Sequence, residues 1–189
     1  DPTGADIGNA WSYGVVNGER FGASLASLGD VTGDGKAELL IGAPSNDSIG
    51  ADAGRVYCMP GNAAGGFVFT LSGTNAGDLL GTSVCSMGDY SGDGITDLFA
   101  VGAPGVDYLT FTNIGYVRSY FVTTLANYWT AYGIGSNDRF GTSCADLGDF
   151  NHDGFDDVIV GASEVGFPII GNGFAQIVSG YYGWPLFTF

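Results

Sequence analysis

The sequence predicts an all-β fold assembled from a repeated unit, and three observations lead there. A nine-residue acidic loop is written three times, at residues 30–38, 89–97 and 149–157, with starts 59 and 60 residues apart. Each loop runs straight into a short apolar stretch, at 39–41, 98–101 and 158–160, the pattern of a strand buried on both faces. No window sustains the periodicity of a helix. A fixed period of this length marks a repeat protein whose units stack to share a core.

The unit reads in a constant order. It opens with Phe21-Gly22-Ala23-Ser24, Leu80-Gly81-Thr82-Ser83 and Phe140-Gly141-Thr142-Ser143, eight or nine residues ahead of each loop. The apolar strand after the loop closes at Gly42-Ala43-Pro44, Gly102-Ala103-Pro104 and Gly161-Ala162-Ser163. A third strand follows at 54–57, 115–118 and 173–177, each a glycine leading into β-favouring residues. An aromatic fourth strand ends the unit at 67–71, 128–132 and 184–189. The segment 9–16 stands before Phe21 as 128–132 stands before Phe140, so it reads as an additional N-terminal strand. The chain therefore divides into residues 1–20, which carry that strand to a neighbouring unit, and repeats at 21–79, 80–139 and 140–189.

The loops have the chemistry of a hard-cation site. Oxygen ligands at positions 1, 3, 5 and 9, with a backbone carbonyl at 7, can converge because glycine at position 6 lets the chain curl. The side-chain ligands expected are Asp30, Thr32, Asp34 and Glu38; Asp89, Ser91, Asp93 and Asp97; and Asp149, Asn151, Asp153 and Asp157. The carbonyls are those of Lys36, Ile95 and Phe155. Such an all-oxygen set suits calcium or magnesium rather than zinc or copper, and the flexible loop favours calcium. An EF-hand requires glutamate at position 12, where this chain has Ile41, Ala100 and Val160. The alternative of a merely solvated turn weakens with each copy.

A Phe-Gly opening, a DxxGDGxxD loop and a Gly-Ala-Pro closing together resemble the FG-GAP repeat of integrin α-subunit heads and many secreted proteins. The resemblance covers residues 21–163 and extends through the flanking strands. It implies a β-propeller-like architecture of three four-stranded blades plus the extra N-terminal strand, with a calcium loop joining two strands in each blade. Leu80 and Ser163 depart mildly from the family pattern. Glu38 stands where the family has aspartate, and its longer arm makes the first site the one that departs furthest.

Propellers close with four to eight blades, so three repeats leave sheet edges that recruit partners. Copies could associate as a two-fold, six-bladed ring or head to tail, or the chain could be part of a longer protein. The expected function is a secreted, calcium-stabilised structural or adhesive module that self-assembles into an extracellular or cell-surface polymer. The alternative is an integrin-like or lectin-like module that binds a protein or glycan.

Composition narrows the field. The 189 residues carry a net charge of −15, from 20 acids against five Lys and Arg. Nine of those acids are expected loop ligands, and three bound divalent ions would bring −15 to −9. A surface this acidic excludes nucleic acid as a partner. No apolar run reaches membrane-spanning length. A start at Asp1 fits a processed secreted chain or a trimmed one.

Of the three cysteines, Cys85 and Cys144 stand four and five residues before their loops and so face opposite sides of their strands. One disulfide with a leftover thiol and three buried thiols both fit, and burial favours the second. Asn46-Asp47-Ser48 is a glycosylation sequon in an expected exposed loop. The one histidine, His152, sits at position 4 of the third loop and points away from the metal. With no catalytic signature around it, the chain is not expected to be an enzyme. Trp11, Trp129 and Trp184 fall in fourth-strand segments, where core or contact packing outweighs a sugar platform.

Overall fold

The computed structural model describes residues 16–62, 66–163 and 173–189. Twelve strands and no helix are found among these residues. The first sheet contains β1 (Ser24–Gly29), β2 (Glu38–Ala43), β3 (Arg55–Met59) and β4 (Phe69–Ser72). The second contains β5 (Ser83–Ser86), β6 (Leu98–Ala103), β7 (Tyr116–Phe121) and β8 (Asn127–Tyr132). The third contains β9 (Phe140–Gly148), β10 (Asp157–Ala162), β11 (Phe174–Val178) and β12 (Pro185–Thr188). Each sheet is an antiparallel meander with its strands in chain order. The expected strand at 9–16 falls almost wholly outside the described residues.

The core lies between the sheets rather than within any one of them. Leu28, Leu40, Val56 and Cys58 of the first sheet pack against Leu80, Val84, Phe99 and Val101 of the second unit. A second cluster joins Cys85, Leu98, Ala100 and Trp129 to Phe140, Val158 and Val160 of the third. Phe99 is fully buried and stacks on Phe69 at 5.4 Å and on Tyr120 at 5.6 Å. Burying a side chain of this size contributes about 1.5–3 kcal/mol. The sheets thus stack face on face as blades, and each depends on its neighbours for a core.

The recurring glycines form the joints of this stack. A Cβ on Gly42 would lie 2.0 Å from the carbonyl oxygen of Gly81, and one on Gly102 would lie 2.0 Å from that of Gly141. The same two carbonyls accept hydrogen bonds of 2.8 Å from the hydroxyls of Ser24 and Ser83. The strand-closing glycine and the opening serine of one blade therefore grip the opening glycine of the next. Parallel bridges from Gly54 to Leu80 and from Gly115 to Phe140 complete each joint.

Burial of the loop-following strands depends on their place in the stack. Every residue of β6, in the middle sheet, is buried, whereas Leu39 of β2 is 46% exposed. The first sheet has a face that no described sheet covers, so the expectation of burial on both faces fails there.

Candidate metal centre

The three acidic loops connect β1 to β2, β5 to β6 and β9 to β10. Their first aspartate organises each turn. Asp30 Oδ1 accepts from the amides of Gly33 at 2.7 Å and Asp34 at 3.0 Å, and Oδ2 accepts from Gly35 at 2.7 Å. Asp89 repeats this with Gly92, Asp93 and Gly94. Asp149 takes the amides of Asp153 and Gly154. The amide of Gly94, followed by those of Gly92 and Asp93, holds the Asp89 carboxyl below its ordinary value. Gly35, Gly94 and Gly154 have φ of +86°, +88° and +93°, the conformation for which position 6 needs glycine.

The fifth and ninth positions brace the other half of the turn. Asp34, Asp93 and Asp153 each accept from the amide two residues on, at Lys36, Ile95 and Phe155. Glu38 is buried, and its Oε2 accepts from Val31 at 2.9 Å and Thr32 at 3.1 Å. Asp97 accepts from Ser91 at 2.6 Å. Asp157 is fully buried; its Oδ2 accepts from Phe150 and Asn151, and its Oδ1 from Gly180 at 2.9 Å. The Ser91 hydroxyl donates to Asp89, and the Asn151 amide donates to Asp153.

One loop brings its carboxylates together. Oxygens of Asp30, Asp34 and Glu38 lie within 4.8 Å of one another, and no other such acidic group is found among the described residues. A triad of hard oxygens that close, on a loop already curled by its own amides, fits a calcium ion. The site expected to depart furthest from the family pattern is thus the one whose acids converge: the longer arm of Glu38 reaches the loop from the start of β2. The acids of the second and third loops share the turn geometry without that convergence.

Three features escaped the reading of the sequence. Position 4 also takes positive φ, at Gly33, Gly92 and His152, so the exposed His152 occupies, at +62°, a conformation that suits glycine. Gly61 and Gly180, after the third strand, donate to Glu38 and Asp157 and tie loop to sheet. An acid two residues before each opening, Glu19, Asp78 or Asp138, is buried. Asp78 and Asp138 each accept from two backbone amides of the preceding turn. The spacing of these acids from Phe21, Leu80 and Phe140 was the available signal.

Asn46 is not on an exposed loop: it is 1% exposed, and its Nδ2 donates to the carboxylate of Glu19 and to the hydroxyl of Tyr57. The nitrogen that would carry a glycan is already engaged. Burial first, and then the Glu19 carboxylate, push the Tyr57 hydroxyl up to about 12. Of the tryptophans, Trp129 is buried and donates to the carbonyl of Gly180 at 2.8 Å, whereas Trp184 is 66% exposed; Trp11 lies outside the described residues.

Neighbouring loops also touch. Tyr90 of the second loop packs on Phe155 of the third with ring centroids 4.9 Å apart. Asp156 approaches Gly88 across the same junction. Burial, and then the charges of Asp146, Asp149 and Asp157, raise the Asp156 carboxyl above its ordinary value.

Comparison with known proteins agrees with this geometry. The FG-GAP repeat model matches residues 21–58, 80–120 and 145–181. Integrin alpha-4 of Xenopus laevis is 30% identical over 155 residues, which cover 77% of this chain and 14% of that protein. Integrin alpha-2 of Bos taurus is 32% identical over 146 residues, 75% of this chain and 12% of that protein. Integrin alpha-5 of Xenopus laevis is 29% identical over 188 residues, 90% of this chain and 17% of that protein. The chain therefore spans less than a fifth of the length of these relatives. With three matched repeats, three meander sheets and the motif residues at the joints between them, the chain belongs to the FG-GAP repeat family.

Proposed function

We propose that the chain is a calcium-stabilised, integrin-like binding module of the extracellular or cell-surface kind, which presents its blades to a protein or glycan and catalyses no reaction. The observation that carries this reading is the match of three FG-GAP repeats together with integrin α relatives over most of the chain. The convergence of Asp30, Asp34 and Glu38 supports calcium as the stabilising ion. Residues 89–97 and 149–157, which repeat the same ligand positions and turn, supply two further sites. Among the described residues, no helix is long and apolar enough to cross a membrane.

The test is binding of the purified chain to immobilised extracellular-matrix proteins and glycans, with calcium and with a chelator. Saturable binding that the chelator abolishes, and that Asp34→Ala weakens, is expected. Absence of binding across such a panel, or binding indifferent to calcium, would overturn the reading.

Self-association into a polymer is the second reading, and the comparisons give it no support. What favours it is the exposed apolar surface at both ends of the stack: Leu25 is 67% and Leu39 46% exposed on the first sheet, and Phe187 and Phe189 are 53% and 66% exposed at the last. Such faces take a further blade, whether from the same polypeptide or another copy.

A further inference from the structure

Two thiols meet where the second and third sheets join. Cys85 lies on β5 opposite Ala100, and Cys144 lies on β9 opposite Val160. Relative to the strand-closing glycines Gly102 and Gly161, they sit one register step apart, and so on opposite faces of equivalent strands. Stacked blades bring opposite faces together, which turns the two sulfurs toward one another. Both belong to the apolar cluster between these sheets, Cys85 at 5% exposure and Cys144 partly buried. The Ser83 hydroxyl pins β5 to the Gly141 carbonyl of the same junction at 2.8 Å.

The two side chains pack into the same cluster, Cys85 within it and Cys144 against it. The neighbouring Cys85 holds the Cys144 thiol below its ordinary value, and the neighbouring Cys144 and then burial raise the Cys85 thiol well above it. Cys58 belongs to the other inter-sheet cluster, where burial and then the charge of Glu38 push its thiol to about 12. The three cysteines are thus a facing pair and an isolated, unreactive third.

We propose that Cys85 and Cys144 are a redox-active pair that closes to a disulfide clasp between the second and third blades in an oxidising medium. Thiols that face one another within one cluster, across a junction pinned by Ser83 and Gly141, have only to close to the S–S length of about 2.05 Å. The oxidant is a small-molecule disulfide. The Cys144 thiolate, the more accessible of the two, attacks one sulfur of that disulfide, forming a mixed disulfide and expelling a thiolate that takes up a proton. Cys85 then loses its proton to solvent, and its sulfur attacks Cys144 Sγ and expels the second thiolate. Two protein thiols are oxidised by two electrons, and one small disulfide is reduced to two thiols.

The experiment uses oxidised glutathione on the full chain, followed by alkylation and non-reducing peptide mass mapping. The expected result is a Cys85–Cys144 cross-linked peptide, two hydrogens lighter than its reduced parts, with Cys58 alkylated only after unfolding. The oxidised chain should melt about 5–10 °C higher, because the clasp constrains the unfolded chain, and dithiothreitol should reverse the shift. Cys58→Ala should leave the cross-link intact, and Cys144→Ala should abolish it. Recovery of both thiols unchanged, a stable glutathione adduct on Cys144 alone, or a cross-link through Cys58 would overturn the proposal. The mapping on the unmutated chain decides the matter even where a variant fails to fold.

Discussion

At the scale of single residues, backbone conformation and buried polar groups decide the outcome. His152 holds φ of +62° where the other two loops have glycine, and a left-handed non-glycine residue costs roughly 1–2 kcal/mol. His152→Gly is expected to raise the melting temperature by a few degrees, measured by calorimetry. Asn46 donates to both Glu19 and Tyr57 in the interior, and leaving such partners unsatisfied costs about 1–3 kcal/mol. Asn46→Ala should therefore lower denaturant stability by that amount, with the slope unchanged, in a urea titration. The burial of Asn46 was not legible in the sequence. Its partner Glu19 lies 27 residues away, so the sequon alone gave no sign that the amide was committed to a buried network.

At the scale of elements, the motif is best understood as a joint. The opening serine, the opening glycine and the strand-closing glycine meet across blades, and Gly102 sits 2.0 Å, measured from a hypothetical Cβ, from the Gly141 carbonyl oxygen. Gly102→Ala must part β6 from the third blade, and a loss of about 3 kcal/mol or more in stability is expected from unfolding curves. Strands β2, β6 and β10 were legible because each runs out of an acidic loop and closes at a Gly-Ala pair. The spacing of the loops gave the turn chemistry of all three. It could not give convergence, which depends on how far the ninth side chain reaches: Glu38 comes within 4.8 Å of Asp30 and Asp34. Likewise, the register offset of Cys85 and Cys144 showed opposite faces, but only the stacking of blades turns opposite faces into a contact.

At the scale of the whole molecule, the three blades have two shared interfaces, and each end of the stack retains exposed apolar side chains such as Leu25 and Phe189. Light scattering on the purified chain should give a single-chain mass if the module acts by binding other molecules; a discrete mass near two chains would point to a six-bladed ring. Metal loading acts on this scale too, since the acidic loops sit on blades that share their cores. An ion that binds only the folded state at about 100 times its dissociation constant contributes about 2.7 kcal/mol. For a chain of this size, that corresponds to a shift of roughly 5–10 °C per site.

Thermal unfolding in millimolar calcium against the same buffer with a chelator is the most direct measurement. Calcium should raise the melting temperature clearly, and less so in Asp34→Ala; identical melts with and without the ion would contradict calcium stabilisation of the blades.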